Sequence, residues 1–140
     1  MRKIVALMAL AVVLVVAFVP SVSFTEDRDT VLLAKTIYAL GKNESYETKL
    51  ALGTVVMNRV ENGWFADTLG EVLEEQHQFP AGSRYDADSL KAAHAVLSGE
   101  RALSEAALYY QPLDAAQPWD SAALVKTMGG YGFYSSNGQI

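Results

Sequence analysis

The sequence predicts a mainly α fold of about four helices with a short C-terminal β-hairpin. Three observations carry this expectation. Apolar residues recur at helical spacing in four stretches, polar N-caps and glycine stops bracket those stretches, and a Gly-Gly pair near the end separates two short extended runs. At 140 residues the chain has room for one globular domain plus a short leading segment.

Residues 1–23 have the form of an export leader. Arg2 and Lys3 precede an unbroken apolar run, Ile4 to Val19, and Pro20 then leads into Ser21-Val22-Ser23, which places small residues where a signal peptidase reads. The chain is therefore expected to be exported, to the extracellular, wall or periplasmic side of the membrane. At 16 residues the run is slightly long for a signal core and slightly short for a membrane span. An uncleaved anchor stays open as the alternative, and the membrane would then be touched only through this segment.

A polar, acidic linker, residues 24–30, precedes a domain over 31–140. Val31, Leu32, Ala34, Ile37, Tyr38 and Leu40 recur at helical spacing, with Asp29 or Thr30 as N-cap and Gly41 as the stop. Ser45 caps a second helix in which Leu50, Ala51, Thr54, Val55, Met57 and Asn58 share a face, and Asn62-Gly63 ends it. Thr68-Leu69-Gly70-Glu71 fits a capping box for a short third helix to about Glu75. A turn-rich loop, Gln76 to Ser83, follows. The fourth helix is capped by Asp88 or Ser89, carries Leu90, Ala93, His94 and Leu97 on one face, and closes at Gly99. Leu108 to Tyr110 form a strand-like piece before Pro112, and Val125 to Tyr134 read as a hairpin turning at Gly129-Gly130.

Charge and composition exclude several functions. Without Arg2 and Lys3 the 11 basic side chains fall to 9, against 16 acidic ones, so the remainder has a formal charge of −7. That balance argues against nucleic acid, and any polysaccharide must be held by a shaped cleft rather than by general charge attraction. There is no cysteine, hence no disulfide and no thiol chemistry. His77 and His94 lie on different elements with no paired ligand, no serine stands in a nucleophile elbow, and no glycine loop is built to cradle phosphate. Neither a metal nor a cofactor is expected.

Most of the remaining chemistry lies between Ile37 and Val60. A polar loop there carries Glu44 and Glu47 between two apolar segments, the edge-of-core setting in which carboxyl groups become general acids. Glu47 reads first as a first-turn acid favoured by the helix dipole. Asn58 is either a ligand of the catalytic loop or an ordinary buried amide, and Arg59 is expected to be a surface charge or a partner of Glu47 or Glu61.

The order LAKTIYALGKNESYE, VVMNRV, the Gln78-Phe79 loop, ALYYQP and KTMGGYGFY resembles the catalytic domain of the SleB and CwlJ type cell wall hydrolases, the spore cortex-lytic enzyme family, over about Val31 to Tyr134. The resemblance implies a small, mostly helical, lysozyme-like domain that cleaves the glycan strands of peptidoglycan, in the better-known members as a lytic transglycosylase; a monomer is the expected state. The family pattern at the end of the first helix is Tyr, small, Glu, Ala, Arg, Gly, Glu, any residue, Tyr, Glu, and the resemblance places the catalytic acid at the first glutamate. Tyr38, Ala39, Glu44, Tyr46 and Glu47 match it. Leu40 stands where that acid belongs, Lys42 replaces the arginine and Asn43 the glycine.

Breaking a glycosidic bond requires a group that protonates the leaving oxygen, and leucine cannot. The candidates for the role are Glu44, four residues on, and secondarily Glu47. Tyr46, Gln78, Phe79, Tyr109 and Tyr110 are the expected sugar contacts, amide for hydroxyls and ring for a sugar face. Tyr109, Tyr110, Trp119, Tyr131 and Tyr134 are expected to divide between core and cleft. Two functions follow: a wall glycosidase with a relocated acid, or a catalytically degenerate relative that binds wall polysaccharide or an envelope partner. Glu44 opening into a cleft lined by Gln78 and Tyr110 would favour the first. Leu40 filling that place with Glu44 in bulk water would favour the second.

Overall fold

A computed structural model describes residues 27–75 and 78–136. The expected leader, residues 24–26 of the linker and His77 lie outside the described residues. The elements are α1 (Arg28–Gly41), α2 (Tyr46–Glu61), α3 (Leu69–Glu74), α4 (Ala87–Leu97), β1 (Tyr109–Pro112), a single 3-10 turn (Ser121–Ala123), β2 (Leu124–Met128) and β3 (Tyr131–Tyr134).

Helix caps set the boundaries. Ser45 Oγ accepts the Thr48 N–H at 3.2 Å and Thr68 Oγ1 accepts that of Glu71 at 3.3 Å, as the sequence leads one to expect. Two caps sit earlier than expected. Asp27, not Asp29 or Thr30, caps α1 by accepting the Thr30 N–H at 2.8 Å, so residues 28–30 are helix rather than linker. Asp86, not Asp88 or Ser89, caps α4 by accepting the Ser89 N–H at 2.8 Å. In each stretch several Asp, Ser or Thr residues compete, and the first to reach an orphan N–H sets the start.

α2 is the central element. Leu52, Gly53, Val56 and Arg59 are buried on it as well as Ala51, Thr54, Val55 and Asn58 of the expected face, so the helix is covered nearly all round by α1, α3, α4 and β1. α4 is rotated from expectation by about one position. Ser89, Ala92, Ala93 and Val96 face inward and His94 is exposed, because small side chains let α4 approach α2 closely. Leu33 and Ile37 from α1, Val72 from α3, Val96 from α4 and Phe133 from β3 complete the core around it. Each such aliphatic side chain contributes about 1.5–3 kcal/mol on burial.

The expected hairpin is present, and Tyr109–Pro112 extends it to a three-stranded antiparallel sheet in the order β1-β3-β2. Tyr109 faces Tyr134 and Pro112 faces Tyr131 across β1 and β3, while β2 carries an irregularity between Leu124 and Lys126. Pro112 is tolerated because β1 is an edge strand. The turn between β2 and β3 requires Gly129, whose φ is +57°.

Candidate active site

Glu44 lies in the tight connection from α1 to α2. Its N–H donates to Gly41 O at 2.9 Å, and a Cβ on Gly41 would come within 2.9 Å of Leu52 Cδ1, so the loop lies directly on α2. The Glu44 side chain therefore projects from a fixed base towards the β2–β3 turn. There the Gly130 N–H donates to both carboxylate oxygens, at 3.2 Å each. A Cβ on Gly129 would stand 2.3 Å from Glu44 Oε2 and 2.6 Å from Thr48 Oγ1, and one on Gly130 would stand 2.6 Å from Glu44 Oε1. Two glycines are what lets the turn close over the carboxylate.

Gly129→Ala is accordingly expected to lower the unfolding free energy by about 1–3 kcal/mol, through left-handed strain and contact with Glu44 and Thr48. Urea unfolding would show it as an earlier midpoint at unchanged slope.

The Glu44 carboxylate opens onto a cleft of about 390 Å³ bounded by Pro112, Leu113, Asp114, Gly130 and Tyr131. The Tyr131 hydroxyl donates to Leu40 O at 2.6 Å, tying the sheet to the end of α1. Burial, and then the negative charges of Glu44 and Asp114, push its phenol above the usual range. A neutral tyrosine thus stands between two carboxylates. Leu40 contributes its carbonyl, while its side chain is half-buried against the core. Glu47 is exposed on the first turn of α2, and Tyr46 lies apart from the cleft, with Lys91 Nζ 4.7 Å from its ring centre on the α4 side.

The other sugar-contact candidates converge on a different centre. Arg59, expected at the surface, is 1% exposed. Its Nε donates to Leu108 O at 2.6 Å and its NH1 to Gln78 Oε1 at 3.1 Å, with Glu75 Oε2 at 3.9 Å. Its guanidinium carbon lies 5.0, 4.7 and 5.0 Å from the ring centres of Phe65, Phe79 and Tyr109. This geometry replaces the expected pairing with Glu47 or Glu61, because a planar, weakly hydrated cation can be buried where rings cover its faces and acceptors meet its edge. Gln78, Phe79 and Tyr109 are its enclosure. Tyr110 stacks on Phe79 with centres 5.6 Å apart, donates its hydroxyl to Gln78 O at 2.7 Å and meets Tyr131 edge-on at 5.9 Å. The enclosure thus backs onto the cleft through Tyr110 and Tyr131. Nothing in the spacing of Arg59 distinguished it from a surface arginine. The nearby aromatic residues are the one signal that could have placed it.

Burial pushes the Tyr110 phenol up to about 12, opposed in part by Arg59 and reinforced by Tyr131. A pKa raised on folding stabilises the protein fully below the unfolded value of about 10, and that stability is lost as pH rises through the folded one. Alkaline titration should show Tyr110 phenolate absorbance only near pH 12, with stability falling over the interval below it. In Tyr110→Phe that late ionisation should vanish.

Comparison with known proteins agrees with this architecture. Residues 43–134 match the cell wall hydrolase family, a span that starts three residues beyond Leu40. The chain is 31% identical over 99 residues to the spore cortex-lytic enzyme of Bacillus subtilis strain 168, covering 66% of this chain and 32% of that protein. It is 30% identical over 109 residues to that of Oceanobacillus iheyensis, covering 71% and 40%. The chain thus spans only a third or so of the length of these relatives. The catalytic domain of Bacillus cereus SleB superposes with a TM-score of 0.68 at 22% identity, covering 81% of this chain and 94% of that domain. The catalytic domain of the germination-specific lytic transglycosylase SleB of Bacillus anthracis gives 0.68 at 23%, covering 81% and 99%.

Proposed function

This chain belongs to the cell wall hydrolase family, and from that premise we propose that it is exported and acts as a monomer on the glycan strands of peptidoglycan, with Glu44 as the acid and base of glycosidic cleavage. The observation that carries the proposal is the place of the Glu44 carboxylate, held by the Gly130 N–H at the wall of a cleft of about 390 Å³. One long N–H bond shared by two oxygens leaves each of them lone pairs for a substrate. A glutamate so held can protonate the leaving oxygen and then take a proton, either from water or from the sugar's own hydroxyl. Tyr131 and Leu113 offer the cleft a ring and an apolar edge for a pyranose face.

A second reading rests on Leu40. The position at which the resemblance places the general acid holds a half-buried hydrocarbon, which favours a relative that binds wall polysaccharide or an envelope partner without cutting. The two readings part in one assay: incubation of the purified protein with purified peptidoglycan, measuring both soluble muropeptides and co-sedimentation. Release supports the enzyme. Co-sedimentation without release supports the binding relative, and the absence of both would overturn action on the wall.

A further inference from the structure

The Glu44 cleft is bounded by a second carboxylate, that of Asp114. Asp114 stands in a turn set by the backbone: the Ala115 N–H donates to Pro112 O at 3.2 Å, and the Leu113 N–H donates to Gly130 O at 2.9 Å. Gly130 thus joins the two walls, since its own N–H holds the Glu44 carboxylate. We propose that Asp114 is the catalytic base that takes a proton from water, so that the cleft hydrolyses a glycosidic bond instead of forming an anhydro sugar. The inference rests on the reading of Glu44 as the acid, and adds the residue that decides its product.

A cut that ends in an anhydro sugar needs one carboxylate, because the group that protonates the leaving oxygen can then take the proton of the sugar's own hydroxyl. Attack by water in a single step needs a second base, on the other face of the sugar ring. Among the described residues that bound the cleft, Glu44, Asp114 and Tyr131 have ionisable side chains. Tyr131 is unsuited to the task. Its hydroxyl proton is donated to Leu40 O at 2.6 Å, and burial, then the charges of Glu44 and Asp114, keep the phenol neutral beyond its ordinary range. That both charges act on this one phenol also places the two carboxylates about the same point of the cleft. Asp114 is exposed, so solvent reaches it directly. In the step, Asp114 takes one proton of a water whose oxygen bonds to the anomeric carbon. The bond from that carbon to the glycosidic oxygen breaks, and Glu44 gives the leaving oxygen its proton.

The test is digestion of purified peptidoglycan by the full chain in water enriched in the heavy oxygen isotope, with the released muropeptides read by mass spectrometry. The parent is expected to yield reducing ends that carry the isotope. Asp114→Ala, an exposed change, is expected to lower release by about a hundredfold while thermal unfolding stays as in the parent. Added azide, an anion that attacks without giving up a proton, is expected to restore release by this variant as the glycosyl azide, which a merely structural role of Asp114 would not produce. Anhydro ends from the parent, parental release by Asp114→Ala, or an impaired variant that azide leaves unrestored overturns the proposal while Glu44 keeps its role. No release by the parent overturns the reading of Glu44 as the acid, and the proposal with it.

Discussion

Glu44→Gln should lower the release of soluble muropeptides from purified peptidoglycan by about a hundredfold to ten-thousandfold, the usual loss when a general acid–base group is removed. Glutamine keeps the shape and can still accept the Gly130 N–H, so the hairpin turn should stay in place while the transferable proton is lost. Thermal unfolding of the variant close to that of the parent would show that the effect is chemical. The companion variant is Leu40→Glu. Its side chain would start from the end of α1, on the residue whose carbonyl is held by Tyr131, itself a wall of the cleft. Release by the parent that Glu44→Gln removes places the proton transfer on Glu44. An inactive parent that gains release with Leu40→Glu would instead make this chain a binding relative whose acid has been replaced.

The largest expected loss of stability is at Arg59. Arg59→Ala should cost about 3–5 kcal/mol, since it empties a ring-lined site and leaves buried partners of a charge without their cation. Three rings, the Leu108 carbonyl, the Gln78 amide oxygen and the nearby Glu75 carboxylate all lose their common centre. Burial holds the Arg59 pKa below its ordinary value, opposed by Tyr109, Glu75 and Tyr110, so the guanidinium is kept in place by its enclosure rather than by solvation. Arg59→Lys should recover only part of the loss, because an ammonium cannot lie flat between rings while donating along two edges. Chemical denaturation of the two variants would measure both effects, and an Arg59→Lys protein as stable as the parent would show that charge alone is what the site needs.

The difference between the two sites shows what a linear pattern can carry. The Glu44 loop was legible because it is local: Gly41 as a stop, Ser45 as a cap and the two flanking apolar segments lie within a few residues of the glutamate. The Gly-Gly turn was legible as a turn, since only glycine relieves the left-handed backbone at Gly129. That the turn would reach across 86 residues to hold the Glu44 carboxylate was not legible. The same limit applied to Gln78, Phe79, Tyr109 and Tyr110. Their types suited a sugar cleft, and the structure gathers them around or against a buried arginine.

What the sequence determined by itself is therefore the four helices and the caps of two of them, the hairpin, the negative charge, the absence of thiol chemistry, and the family resemblance carried by five short motifs in order. Helical and strand periodicity and cap chemistry act over three or four residues, and a sequence displays such terms directly. Tertiary structure alone decided that α2 is covered on nearly every side, that Arg59 is interior, that β1 joins the hairpin as an edge strand, and that Glu44, Asp114 and Tyr131 share one cleft. Those outcomes depend on side chains from elements distant in sequence closing around one another, and burial of that kind is a property of the packed whole.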